Sequence, residues 1–262
     1  MIQGIDHIVI VVRELEQAMA DYSVLGFTVV PGGRHAGLNT HNALIAFDDG
    51  CYLELISFLG PPPAQHLWYK ALQKGGGLVD FCARSDNLEE DAAVFRAAGA
   101  IIGTPFTMNR ERPDEYRIRW VLAVNEGATS GLVPFFIHDI TPRDERVPRE
   151  RRHHNLACGV KCLTIAVDEL HPLQSIYEKA LGHAQTIERL DLGATGVQFQ
   201  LGPQQVHLVT PVKSSGVVAE RLRTRGAAPV ELTLCGGPEQ YSILDSARTH
   251  GARITISSGS RI

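Results

Sequence analysis

The chain opens on Gly4-Ile-Asp-His-Ile-Val-Ile-Val-Val12, an unbroken run of strand-type residues. It then enters a stretch where Leu15, Ala18, Met19, Tyr22 and Leu25 recur at helical spacing before Gly26. Three further strand patterns follow at 27–30, 42–47 and 51–58, divided by Pro31-Gly-Gly33 and Asp48-Asp-Gly50. One strand, one helix and three strands make a βαβββ unit.

The same order returns along the chain. Gly159-Val-Lys-Cys-Leu-Thr-Ile-Ala-Val167, followed by Leu170, Leu173, Ile176, Tyr177, Ala180 and Leu181 before Gly182, repeats the opening, with Tyr177 in the place of Tyr22. Strand patterns at 185–188, 196–201 and 205–210 continue that third unit. A second unit starts at Gly77-Leu-Val-Asp-Phe-Cys-Ala83, continues through a helix carrying Leu88, Ala92, Phe95 and Ala98, and ends in strands at 116–124 and 132–137. A fourth begins near Pro229-Val-Glu-Leu-Thr-Leu234, is expected to form a helix around 240–249, and stops after 252–257 without its final strands. The fold class expected is α+β, with repeated βαβββ modules forming half-open mixed β-barrels with outer helices. Modules one and two occupy 1–140, and module three with the shortened module four occupies 155–262. The intervening 141–154, with Pro142, Pro148 and five arginines, reads as a solvated linker, or as an anion contact through Arg149, Arg151 or Arg152.

Composition narrows the functional classes. With 262 residues, 44% of them hydrophobic, the chain buries a substantial core. Lys and Arg total 25 against 29 acids, with no dominant run of either sign, so nucleic acid is a poor default partner. The five cysteines, Cys51, Cys82, Cys158, Cys162 and Cys235, form no CxxC pair and lie mostly in strand-like runs, which reads as reduced thiols. No basic leader with an apolar stretch and no long apolar span is present. The expectation is a soluble cytoplasmic protein with a small-molecule substrate and no membrane partner.

Aligned on their opening glycine or alanine, the four modules carry His7, Asp80, Cys162 and Glu231 at the fourth position, all metal-competent residue types. In the terminal strands Tyr52-Leu-Glu-Leu-Ile56 lines up with Gln205-Val-His-Leu-Val209, which sets His207 against Glu54. Module two offers Phe136 there, with His138 one strand period further on. Strand alternation puts His7 on a face with Val9 and Val11, and Glu54 on a face with Tyr52 and Ile56. A carboxylate covered in this way costs several kcal/mol unless a cation or donors satisfy it. Two arrangements answer that cost: a metal held by His7 and Glu54, or a direct contact between the two side chains. Asp80 is open between metal ligand and acceptor for local backbone donors. His41 and Asn42, where a loop enters a strand, are candidates to polarise a substrate carbonyl or hold a base, with a turn role for Asn42 as the alternative. Arg119 is either an inward anion anchor or an edge charge, and Trp68 with Tyr69 either covers a pocket or packs on the outer core. A second site from Cys162, His207 and Glu231 is a lesser candidate.

Ile5-Asp-His-Ile-Val-Ile-Val, Leu25-Gly-Phe, Pro31-Gly-Gly-Arg-His35, Thr40-His-Asn-Ala-Leu44, Asp49-Gly, Tyr52-Leu-Glu-Leu-Ile56 and Pro134-Phe-Phe-Ile137 stand in an order that resembles the glyoxalase-like domain family of the vicinal oxygen chelate superfamily. That resemblance implies paired modules curled around a divalent ion (Zn, Ni, Mn or Fe) with ligands from the first and last strands of each module. By position these are His7 and Glu54, with Asp80 where histidine or glutamine is usual, Phe136 where glutamate is usual, and His138 as a substitute ligand. The implied activity is a metal-dependent lyase or isomerase acting on a small oxygenated substrate through enediolate chemistry, with Glu54 catalytic. The alternatives are an Fe(II) ring-cleaving dioxygenase built on His7, Glu54 and His138, and a metal-free binding or resistance protein. Module pairing within one chain or across a homodimer is open.

Overall fold

The computed structural model describes residues 1–35, 39–62, 66–112 and 114–259. Module one forms strand β1 (Ile2–Val11), helix α1 (Leu15–Val24) and strands β2 (Val30–His35), β3 (Thr40–Ala46) and β4 (Tyr52–Phe58). A connecting helix α2 (Leu67–Gln73) leads to module two: β5 (Gly77–Ser85), α3 (Leu88–Ala98), β6 (Phe106–Glu111), β7 (Arg117–Ala123) and β8 (Phe135–Asp139). The eight strands close into one barrel in the order β1-β4-β3-β2-β6-β7-β8-β5, with β1 and β4 parallel and likewise β5 and β8. The expected half-open barrel is therefore closed here. Antiparallel pairing of β1 with β5 makes one seam, and a short pairing of β2 with β6 makes the other.

The second half contains a short helix α4 (Arg143–Arg146), then β9 (Gly159–Ala166), α5 (Leu170–Leu181), β10 (Gln185–Arg189), β11 (Ala194–Leu201), β12 (Gln204–Pro211), α6 (Val217–Arg225), β13 (Ala228–Gly236), β14 (Tyr241–Ile243) and β15 (Ile254–Ser258). Its strands form an open seven-stranded sheet, β10-β11-β12-β9-β13-β15-β14. The helix expected around 240–249 is instead strand β14 followed by turns. Tyr241 and Ile243 are exposed and Leu244 alone of the segment's large apolar side chains packs on the core, too little apolar surface for a packed helix. The strand expected at 27–30 begins at Val30 and runs on through Pro31-Gly-Gly33 to His35. Gly33 adopts φ of 131°, where a Cβ would collide with the Glu111 carbonyl of β6, so glycine permits this seam.

Strands β1, β4 and β5 are apolar on both faces because both faces are covered. Val9, Val11, Ile56, Val79, Cys82, Trp120 and Ile137 fill the barrel interior. Ile8, Ile10, Leu53, Phe81 and Phe136 point outward into a core shared with Leu163, Ile165, Phe199 and Leu234 of the second half. Helix α1 buries Leu15, Ala18 and Tyr22, the i, i+3, i+7 stripe read from the sequence. The two matching tyrosines cross between halves: the Tyr22 hydroxyl donates to the Thr249 carbonyl at 3.2 Å, and the Tyr177 hydroxyl to the Leu132 carbonyl at 2.8 Å. No described helix is long and apolar enough to cross a membrane.

The segment 141–154 is not solvated throughout. Arg146 and His153 are buried, and α4 presses Arg143 and Arg146 against Asp6 at the barrel. Buried carboxylates supply the compensation that lets these arginines leave water.

Candidate functional site

Neighbouring strand residues ordinarily face opposite sides, but the β1–β5 ladder shifts register between Ile5 and His7. Asp6 and His7 therefore meet: His7 Nδ1 lies 2.7 Å from Asp6 Oδ1. Asp6, fully buried, is gripped by Arg146, which donates to its two oxygens at 3.0 and 2.9 Å, and by Arg143. Burial alone pushes the Asp6 carboxyl up, but Arg146, Arg143 and His7 outweigh it and hold it well below the usual carboxylate range. Arg146 also binds Asp139 and the Tyr52 hydroxyl. The His7 ring stacks on Tyr52 at 4.8 Å and meets the edge of Phe135 at 5.4 Å. The imidazole is thus fixed, with Nδ1 on a carboxylate and Nε2 facing into the barrel.

What Nε2 faces is Glu54. The distance is 3.4 Å to Oε2, while His35 Nε2 lies 3.5 Å from Oε1 and Asn42 Nδ2 donates to Oε1 at 2.5 Å. His35 is oriented by Thr40, whose hydroxyl lies 3.0 Å from Nδ1. Gly32 makes room for Asn42, since a Cβ there would collide with Asn42 Oδ1. Burial raises the Glu54 carboxyl, but His7, His35 and Asn42 more than offset this, so Glu54 is held below its ordinary value and is ionised at neutral pH. His35 is pushed down to about 4, by burial against the pull of Glu54, and is neutral.

Arg110 of β6 completes the polar cluster. It is buried, donating from Nη2 to the Arg146 carbonyl at 3.0 Å and from Nη1 to Asn42 Oδ1 at 3.4 Å, while its buried Nε has no partner. Trp68, Trp120, Met108, Leu122 and Ile137 line the same cavity, which measures about 60 Å³.

The sequence-derived candidates divide. His7, Glu54 and Asn42 are brought together, and Trp68 lines the cavity. Asp80 stands apart, accepting from Trp68 Nε1 at 3.1 Å and from the Phe81 amide at 2.9 Å; burial pushes its carboxyl up to about 7 against those two bonds. His138 lies on the exposed side of β8 with Nδ1 on the Ser85 carbonyl, away from Glu54. His41 borders an outer groove with Glu16 and Arg34. Arg119 is exposed because its neighbours Ile118 and Trp120 take the inward positions of β7. Phe136 points into the outer core, and Phe135 holds the inward place. In the second half Glu231 is bound by Arg189, Arg253 and Thr255, and His207 Nε2 by Gln205, so Cys162, His207 and Glu231 form no joint site.

Reading the sequence missed Asp6, His35, Arg110 and Arg146. His35 carried a signal, as the last residue of the Pro31-Gly-Gly-Arg-His35 motif entering the barrel. The alternation Ile118, Trp120 already placed Arg119 outside.

Among the described residues no three His, Cys, Asp or Glu side chains form a group able to hold a metal ion. Both imidazoles approach Glu54, but at different carboxylate oxygens, with the Asn42 amide bonded to one of them. The donors surround a carboxylate and do not fit a divalent ion held by protein ligands alone. His7 Nε2 and Glu54 Oε2 stand in direct contact at 3.4 Å.

A closed barrel of two βαβββ-like modules, with outer helices and a polar cluster on its inner face, is a vicinal oxygen chelate fold. The chain belongs to the glyoxalase-like domain family, whose profile matches residues 5–181. A crystal structure of a hypothetical protein from Staphylococcus aureus superposes with a TM-score of 0.71 at 12% identity, over 97% of this chain and 98% of that one. A triple mutant of 4-hydroxymandelate synthase from Streptomyces coelicolor gives 0.62 at 13% identity, over 94% and 78%. A xylose isomerase-like TIM barrel/4-hydroxyphenylpyruvate dioxygenase fusion protein gives 0.54 at 13%, over 89% and 36%. Such identities establish the fold and leave the chemistry to the site. No curated protein sequence matches the chain.

Proposed function

We propose that the barrel is the active site of a lyase or isomerase that moves a proton on a small, enolisable oxygenated substrate, with Glu54 as the proton acceptor. The observation that carries this reading is the Glu54 carboxylate: buried, ionised at neutral pH, and faced by two oriented imidazoles inside a cavity. Asp6, at 2.7 Å from Nδ1, orients His7 so that Nε2 faces Glu54, and stabilises the imidazolium that forms when both ring nitrogens carry a proton. Glu54 accepts the proton from the carbon beside the carbonyl, and His7 relays it to or from the oxygen that gains charge. The apolar wall excludes water and strengthens each of these interactions.

The experiment is solvent deuterium exchange into a panel of enolisable carbonyl compounds, followed by proton NMR. Wild-type protein catalyses exchange at the carbon beside the carbonyl, and Glu54→Gln slows it at least about a hundredfold. Exchange undiminished in Glu54→Gln refutes the role. Saturable binding without exchange favours the second reading, a small-molecule binding protein, which the largely apolar cavity lining supports. The ring-cleaving reading counted on His138 as an iron ligand, and His138 lies outside the barrel.

A further inference from the structure

We infer that the occupant of the barrel is a small monocarboxylic acid, its carboxylate seated on Arg110 and a compact apolar substituent lying among Trp68, Trp120 and Phe135. The inference rests on the proposed use of this cavity and names the class of molecule it takes.

Three features carry it. The first is Arg110 itself. At 3% exposure it is as buried as Arg146, yet the two are treated differently. Arg146 holds Asp6 and Asp139, whereas Arg110 has no carboxylate within ion-pair distance among the described residues. Its Nη atoms bond a backbone carbonyl and an amide oxygen, and its buried Nε–H has no hydrogen-bond partner. A guanidinium fork with donors to spare is shaped for bidentate capture of a carboxylate.

The second is the charge balance around the cavity. Asp6 and Asp139 are matched by Arg146 and Arg143. Glu54 is in contact with His7, His35 and the Asn42 amide, and Arg110 adds an electrostatic pull from beyond ion-pair distance. Asn42 stands between Glu54 and Arg110, giving its amide nitrogen to one and its oxygen to the other. An anion on Arg110 therefore meets a guanidinium with no direct ion pair among the described residues, with the Asn42 amide between it and Glu54.

The third is the mixed lining of the cavity. Arg110, His7, His35 and Glu54 line it together with the indoles of Trp68 and Trp120, Phe135 and Leu122, and Phe135 and Trp120 meet the edges of His7 and His35. An acid with a single charge and an apolar tail matches a lining of one free guanidinium and several aromatic rings. A dicarboxylate or a phosphate ester would place a second charge against the indoles, where burial is costly. The volume of about 60 Å³ limits the occupant to a few carbon atoms beyond the carboxylate unless the indole of Trp68 swings aside.

The cavity brings its own reporter, since Trp68 and Trp120 are the two tryptophans of the chain and both line it. Intrinsic fluorescence is titrated with isobutyrate, isobutyramide and succinate. The expected result is a saturable change with isobutyrate, at least about tenfold weaker with isobutyramide and with succinate. Arg110→Gln removes the preference for the acid over the amide, Arg110→Lys keeps part of it, and exposed Arg119→Gln leaves it intact. Equal affinity of wild-type protein for acid and amide overturns the inference, as does no response to isobutyrate, or an acid preference that survives in Arg110→Gln. If Arg110→Gln does not fold, the wild-type acid-to-amide ratio and Arg110→Lys decide. Glu54→Gln separates the two proposals: carboxylate binding that persists while deuterium exchange does not occur in either protein sinks the catalytic reading and leaves this one standing.

Discussion

The barrel and the open sheet place corresponding residues in the same register and use them in opposite ways. His7 pairs with Tyr52 across β1 and β4, as Cys162 pairs with Gln205 across β9 and β12; two residues on, Val9 faces Glu54 and Thr164 faces His207. On the other side, Val9 pairs with Asp80 and Thr164 with Glu231. Glu54 thus answers to His207, and Asp80 to Glu231. In the sheet, Glu231 takes Arg189, Arg253 and Thr255, while burial and then Arg189 push His207 down to about 4, so that it is neutral. In the barrel, Glu54 is ionised with imidazoles and an amide in contact and Arg110 acting from beyond ion-pair distance, and Asp80 is half-protonated near neutrality with an indole donor. Where arginines close on the carboxylate, the position serves stability; where they are withheld and donors stay uncommitted, it can serve chemistry.

The sharpest way to break this comparison is to neutralise the two equivalent positions. Glu54→Gln is expected to lower proton-exchange turnover about 10²–10⁴-fold with its urea midpoint little changed, and His207→Gln to leave turnover unaltered. Equal losses in both would place function in both halves. Next comes stability. Asp6→Asn strips Arg146 and Arg143 of a shared buried carboxylate and is expected to cost about 3–5 kcal/mol in urea unfolding. Glu231→Gln, whose arginines reach partly into solvent, is expected to cost less, about 2 kcal/mol. A reversed order would mean that the sheet, not the barrel, depends more on its charge network.

The repeat, the strands of β1 and β4 and the helix stripe of α1 were legible because alternation and 3.6-residue spacing are local properties. The pairing of His7 with Glu54 was legible as well, since both sit in strands apolar on each face. Asp6 was not: strict alternation hides it, and only the register shift beside Ile5 turns it toward His7. Arg110 and Arg146 lie in charged segments, Asn109-Arg-Glu-Arg112 and Arg143-Asp-Glu-Arg146, that read as surface. Their burial depends on Asp6, Asp139, Asn42 and a backbone carbonyl contributed from distant segments, which no local pattern records.

A smaller effect tests Asp80 against Glu231. With its folded value raised to about 7 from 3.8, Asp80 binds more protons folded than unfolded, so its contribution is fully present below pH 3.8 and is lost as pH rises through about 7. Asp80→Asn, which cannot ionise, escapes that loss. The stability of Asp80→Asn relative to wild type is therefore expected to improve by about 2 kcal/mol between pH 5 and pH 8 in paired urea titrations. A difference that is flat with pH would mean that Asp80 is charged and partnered, as Glu231 is.

The smallest expected effect is no effect. A divalent ion bound to the folded barrel and not to the unfolded chain would add about 2.7 kcal/mol at a hundredfold excess over its dissociation constant, and chelation would remove that. Because the His7 and His35 imidazoles address different oxygens of Glu54 and no third ligand joins either, dialysis against a chelator is expected to leave both the urea midpoint and the exchange rate within error. Elemental analysis of His7→Ala beside wild type gives the opposing outcome its form. A stoichiometric metal in the wild type, absent from the variant and released by the chelator with a fall in stability, would require His35 to turn onto the ion that His7 and Glu54 share. Arg110 would then be the counter-charge to a metal-bound anion and not a substitute for the metal.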